Sequence, residues 1–228
     1  MKPYFIFKNK SSKEFDIIVN NLPPITFPVR RVETVQVPGR NGYLTIDDES
    51  YEPILKVTRC TAMNYNIIPQ MQEWLSGEGE VLFSNDKNRY FKARIINQID
   101  FNRLIRNKKT FDIHFYCQPE GYLLNSNDLQ ITEATTIYNP GNYKSAPIFK
   151  VYGTGSIELT INNRKIILTD ILSDITLNSE IEEAYNDMTS NLNDDMQGEF
   201  PILDVGENNI SWTGNVNKIE IKPNWVML

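Results

Sequence analysis

The 228-residue sequence predicts a mostly β protein in two parts, an N-terminal α+β domain followed by an all-β sandwich. Three observations carry this. Apolar and polar residues alternate over many short runs bounded by Gly, Pro and Asn, which is the pattern of half-buried strands joined by turns. The period switches to a helical one at a single place, where Ile67, Met71, Trp74 and Leu75 recur at helical spacing. Charge is also divided unevenly: residues 1–118 carry 17 basic and 13 acidic side chains, and residues 119–228 carry 6 and 16. Two segments of opposite balance fit two domains with different neighbours, residues 1–122 and 123–228, and the chain is long for one domain.

Taken in order, residues 1–8 form the first strand, an apolar run too brief for a signal peptide or a membrane span. From Phe27 a second run places Val32, Thr34 and Gln36 on one face and Glu33, Val35 and Val37 on the other. It meets Pro38-Gly39-Arg40-Asn41-Gly42 and resumes at Tyr43 and Leu44. Pro-Gly and Asn-Gly within five residues require a tight reversal, so this is a strand, a rigid turn and a strand with Arg40 at its tip. Residues 51–64 read as a long strand covered on both faces, with Leu55, Val57 and Met63 opposite Ile54, Cys60 and Ala62. The helix then takes Asn66 as N-cap, Pro69 in its first turn and Gly77 as C-cap. Residues 80–84 and 89–95 flank the turn Asn85-Asp86-Lys87-Asn88, and residues 110–117 put Phe111, Ile113, Phe115 and Cys117 on one face.

Residues 119–128 carry turn residues and no period, so they read as the connector. Beyond it, residues 157–161 and 166–168 flank an Asn-rich turn, and short runs follow at 174–177, 201–205, 209–212 and 218–221. This spacing predicts a β-sandwich. Cys60 and Cys117 read as buried free thiols of a chain made in a reducing cytosol.

Motifs of chemistry are scarce. His114, the single histidine, lies on the polar register of its strand with Asp112 and Tyr116 and lacks a nucleophile motif. Zinc sites need more His and Cys at short spacing than this chain has. The doublets Glu182-Glu183 and Asp194-Asp195 and the triplet Asp47-Asp48-Glu49 would aim at opposite faces if on strands. That argues against a glycosidase pair and leaves a loop calcium site as the alternative for the triplet. The basic run Arg103, Arg106, Lys108 and Lys109 caps a turn, because no aromatic is interleaved with it and the net charge of −6 disfavours a nucleic-acid grip. No cofactor motif is present, and the residues alone point to a binding or assembly protein.

The C-terminal half contains Asn139-Pro-Gly-Asn-Tyr-Lys-Ser-Ala-Pro147, Ile148-Phe-Lys-Val-Tyr-Gly-Thr-Gly155, Gly198-Glu-Phe-Pro201, Gly206-Glu-Asn-Asn-Ile-Ser-Trp212 and Ile219-Glu-Ile-Lys-Pro-Asn-Trp225. In that order and spacing it resembles the distal tail protein family of bacteriophages with Gram-positive hosts. Residues 37–44 are similar to the glycine-turn motif near the start of that family. The resemblance implies an N-terminal domain of sheets or a split barrel with one short helix, and a galectin-like C-terminal sandwich. It implies a non-enzymatic hub at the virion tail tip, made in the host cytoplasm: a hexameric ring between the tail tube protein and the tail-associated hub protein. Such a ring holds receptor-binding or baseplate proteins and lets DNA through its lumen without gripping it. The candidate subunit contact is the hairpin of Val37, Pro38, Gly39, Arg40, Asn41, Gly42, Tyr43 and Leu44. A carbohydrate-binding module for cell-wall glycans is the alternative, with Tyr152, Trp212 and Trp225 as stacking candidates. A cell-wall hydrolase is the distant one.

Overall fold

The computed structural model describes residues 2–105, 108–186 and 190–228. The chain divides into two compact units, Met1–Gly121 with Leu228, and Tyr122–Met227. The first contains β1 (Phe5–Phe7), β2 (Lys10–Ser11), β3 (Ile17–Asn21), β4 (Arg30–Val35), β5 (Leu44–Tyr51), β6 (Ile54–Ala62), α1 (Ile68–Trp74), β7 (Glu78–Phe83), β8 (Asp86–Ile95), β9 (Asn102–Ile105) and β10 (Lys108–Leu123). One antiparallel sheet runs β2-β1-β7-β8-β10-β6-β3, with β9 also on β10, while β4 and β5 pair only with each other.

The core face of the sheet is aromatic. Phe115 receives the rings of Phe5, Phe7 and Phe83 edge-on at 5.5 to 5.6 Å, the geometry that sets a positive ring edge against a negative face. Trp74 fastens α1 to this core. Its indole stacks between Phe5 and Phe15 at 5.4 and 4.3 Å, and its Nε1–H donates to the Phe7 carbonyl at 2.7 Å. Phe15 belongs to a one-turn 3-10 helix, Ser12–Phe15, closed by a capping box: Ser11 Oγ accepts from the Lys13 N–H, and Glu14 Oε1 accepts from the Ser11 N–H.

Several sequence expectations shift here. The helix has Ile67 rather than Asn66 at its N-cap, with no side-chain cap, and Asn64 instead accepts from the Asn66 N–H at 3.0 Å. The long strand expected at 51–64 breaks at Glu52–Pro53; its Ile54, Lys56, Thr58, Cys60 and Ala62 face is buried, while on the other face Thr61 is buried and Leu55 stands half in water. Phe83 pairs with Asp86, so the β7–β8 turn is Ser84–Asn85 and Asp86 already belongs to the strand. The connector expected from residue 119 begins inside β10, which continues to Leu123. Within the basic run, Arg106 and the side chain of Arg103 lie outside the described residues, while Lys108 and Lys109 are half-buried strand residues rather than a turn. Cys60 and Cys117 are free and buried, and burial pushes each thiol up to about 12. The register sets Cys60 opposite Phe111 and Cys117 opposite Ile54, six strand positions or roughly 20 Å apart, well beyond disulfide reach.

The second unit contains β11 (Leu129–Ile131), β12 (Thr135–Asn139), β13 (Ile148–Ile161), β14 (Arg164–Ile171), β15 (Asp174–Asn178), β16 (Glu183–Asn186), β17 (Ser190–Asn191), β18 (Met196–Gln197), β19 (Gly206–Lys222) and β20 (Val226–Met227). Its architecture follows from two long strands. The runs expected at 209–212 and 218–221 are a single strand, β19, and Gly153-Thr154-Gly155 lies inside β13. The first half of β13 pairs with β15 and the second with β14, while β19 carries β12 at one end and β11 at the other. The β13–β19 register slips between Thr154 and Glu158, where Gly214 takes φ +99 and a Cβ on it would run into the Ser156 carbonyl oxygen. The halves on either side of this irregularity contribute to one core, in which Phe149, Val151, Ile219 and Ile221 join Leu159, Ile161, Ile166 and Ile210. Residues 201–205 make only an isolated bridge, Ser145 to Leu203.

Asparagines hold one end of this unit. Asn208, 0% exposed, accepts at Oδ1 from the Asp204 N–H and Asn162 Nδ2, and donates from Nδ2 to the Asp204 and Gly206 carbonyls. Asn139 Oδ1 accepts from the Gly141 N–H, and its Nδ2 donates to the Tyr143 and Leu203 carbonyls. Asn224 Nδ2 donates to the Ala146 carbonyl. The Asn-Gly-Pro motifs of the sequence are therefore buried hydrogen-bond bridges between loops. Arg164 grips Asp204 with both nitrogens, at 2.9 and 3.2 Å.

Two outcomes follow. Asn208→Ala strands several buried polar groups, and chemical denaturation is expected to show a loss of roughly 2–3 kcal/mol. The Arg164 guanidinium holds the Asp204 carboxyl below its usual range. A depressed folded-state pKa contributes stability above the unfolded value, near about 4, and loses it as pH falls through the folded one. A thermal-melt series from about pH 7 to 2 should fall less steeply in acid for Asp204→Asn than for the wild type.

Candidate functional site

The β4–β5 ribbon is the part of the first unit that its own core does not explain. Its turn is built as the residues dictate. Pro38 supplies the fixed φ of the second turn position, Gly39 takes φ +80 in the third, and the Arg40 N–H donates to the Val37 carbonyl at 3.2 Å, a type II turn. Gly42 follows at φ +81 and returns the chain to β5. Val35 pairs with Leu44, Glu33 with Ile46, Thr34 with Thr45 and Val32 with Asp47. Alternation therefore gives one face Glu33, Val35, Leu44 and Ile46, and the other Val32, Thr34, Thr45 and Asp47. Both faces stand in solvent, and Tyr43 beside the tip is 68% exposed.

Several charges of the ribbon are paired within it. Arg30 pairs with Asp47, and Arg31 Nε reaches Glu52 Oε1 at 2.9 Å. Asp47 Oδ1 also accepts from the Glu49 N–H, and Asp48 Oδ1 accepts from the Ser50 N–H and Oγ. These contacts lower the pKa of both aspartates and shape a local turn in which Glu49 has φ +61. The triplet 47–49 thus serves the backbone, and among the described residues no group of three His, Cys, Asp or Glu is placed to hold a metal ion. Glu182 is a turn residue at φ +53, and Asp194 and Asp195 lie in a 3-10 turn.

The remaining candidates are scattered. His114 is half-buried on the outer sheet face, its backbone bound to Asn97 Oδ1 and the Ile96 N–H. The neighbouring Asp112 is gripped by Arg59 at 2.9 and 3.1 Å and does not orient the imidazole. Trp225, 6% exposed, belongs to the second unit's core and offers no ring face to a sugar. Trp212 is half-buried against the same core opposite Leu159. Tyr152 donates to Glu220 Oε2 at 2.8 Å and has the Lys218 and Lys150 amines 4.3 and 5.1 Å from its ring centre. The three aromatics do not form one platform.

Sequence reasoning started this strand at Phe27, whereas β4 begins at Arg30 and the residues before it form a strap leading into the ribbon. Ile25, Phe27 and Val29, at alternate positions after Pro24 and around Pro28, are all exposed, Phe27 at 76%. The signal was present in that alternation beside two prolines. Because β4 and β5 pair with nothing else, Gly39→Ala, which strains a left-handed position, should speed amide exchange across residues 32–46. The melting temperature of the whole protein should stay within about 2 °C of the wild type.

No family model and no curated protein matches this sequence. The structure does match solved ones, among them the crystal structure of the SPP1 Dit protein, presented as a paradigm of the hub adsorption apparatus in phages infecting Gram-positive bacteria. The TM-score is 0.72 at 12% sequence identity, over 97% of this chain and 99% of that one. The chain therefore has, from end to end, the mostly β fold of that phage hub protein.

Proposed function

We propose that the chain is a structural component of a phage tail tip, a distal tail protein whose first unit forms a hexameric ring. In this reading its galectin-like second unit holds receptor-binding or baseplate proteins, and the ring joins the tail tube protein to the tail-associated hub protein. The observation that carries the reading is the ribbon: a pre-shaped turn presenting Val35, Tyr43, Leu44 and Ile46 to solvent, on a fold shared with a phage hub protein. An exposed apolar element with a fixed shape loses little entropy when a neighbour covers it. A head-to-tail contact made by one such element and one receiving surface closes into a ring.

Charge supports the same assignment. The second part of the chain is strongly acidic, which sets those units apart from one another, while the first is near balance. On the first unit's sheet, two of the described outer-face cations, Arg59 and Arg94, are paired with Asp112 and Glu78, which keeps those two from offering an open phosphate track to DNA in a lumen.

Mass photometry and negative-stain microscopy of the purified chain, alone and with its tail tube protein, test this. Six-fold rings are expected, and since an apolar contact must overcome a net charge of −6 per chain, assembly should strengthen as salt rises from about 0.05 to 0.5 M. A monomer under every condition, or release of peptidoglycan fragments by the purified protein, would overturn the reading.

A further inference from the structure

Phe27 is an aromatic side chain held out into water by a strap that cannot fold away. Pro24 and Pro28 fix φ at both ends, the Asn85 Nδ2 amide ties the start to the Pro23 carbonyl, and the Glu52 N–H ties the end to the Val29 carbonyl. Between these ties Ile25, Phe27 and Val29 recur at i, i+2 and i+4, and all three are exposed. Exposed aromatics on rigid supports have the character of interface anchors.

The same unit holds a matching recess. A groove of about 420 Å³ runs between α1 and residues 97–101, with Met71 at its floor and Ile68, Leu75, Ile99 and Phe101 on its walls. Its remaining lining is Gln72, Ser76, Asn97 and Gln98, so among the described residues no charged side chain faces it. The two other sizeable hollows described in this unit are different in kind: one is lined by Lys8, Lys10 and Glu73, the other by Glu78, Glu80, Lys92 and Arg94. Burying an apolar strap beside those groups would desolvate charges, whereas the α1 groove takes it at little such cost. Methionine at the floor adapts to an inserted ring.

We infer that the Phe27 strap of one copy seats in the α1 groove of the next copy. This rests on the reading that copies of the chain assemble, and adds to the ribbon a second contact with a named receiver. Knob and groove belong to different surfaces of one unit, so the contact is head-to-tail and propagates round a ring.

The experiment uses two full-length variants at exposed positions, checked for folding by circular dichroism. Phe27→Asp removes the knob and Gln72→Arg charges the groove. Each alone should raise the concentration needed for assembly at least about tenfold. An equimolar mixture retains one intact knob-to-groove contact and should stop at dimers. Wild-type assembly by both variants would overturn the inference while leaving the ring reading intact, as would an effect of Phe27→Asp not matched by Gln72→Arg. A wild-type chain that never self-associates would instead remove the ring reading. As a second measurement, Phe27→Cys with Gln98→Cys under mild oxidation should give a covalent ladder of oligomers. Cys60 and Cys117 are buried and contribute no background. A ladder absent from assembled double-variant rings would sink the proposed contact.

Discussion

Eight apolar side chains from Ile25 to Ile46 stand in water, and this constraint organises the account. Fully burying a side chain of this size is worth about 1.5–3 kcal/mol, so a chain that leaves eight of them exposed along one strap and ribbon has not completed its burial within one copy. The segment alternates well enough to lie on a sheet, yet β4 and β5 pair with each other alone. Proline at 24, 28 and 38 and glycine at 39 and 42 hold it in an extended, reversed shape that does not return to the core.

The rest of the first unit gives this element a firm base. Trp74 locks α1 and the 3-10 turn onto the aromatic sheet face, and the curled sheet carries both ends of the segment through β3 and β6. The second unit solves a different problem. Two strands of 14 and 17 residues are too long for one flat layer, and an irregularity at Gly214 lets each serve two halves of one folded sheet. Its loops then have buried polar backbone, and Asn139, Asn208 and Asn224 satisfy it.

Much of this was legible in the chain itself. Alternation located the strands with Phe111, Ile113, Phe115 and Cys117 facing inward, and the Pro38–Gly42 cluster located the turn, because period and φ requirements are local properties. What was illegible depended on context. Asn66 has the chemistry of an N-cap, but Asn64 took the local hydrogen bond first. The runs at 209–212 and 218–221 looked separate because alternation lapses between them, whereas in the long pair the strand continues through Gly214 and only its register with β13 slips. Trp225 resembled a stacking ring only until tertiary packing buried it. The strap at Ile25–Val29 was readable, and its exposure was not, since alternation tells which residues share a side and is silent on what lies there.

Hydroxyl-radical footprinting of the dilute and the assembled protein tests the central claim most directly, because it reads side-chain burial residue by residue. The account predicts that oxidation of Phe27, Tyr43 and Leu44 falls severalfold on assembly, while Tyr138, an equally exposed residue of the second unit, keeps its rate. Protection of Tyr138 with Phe27 and Tyr43 still fully reactive would contradict it.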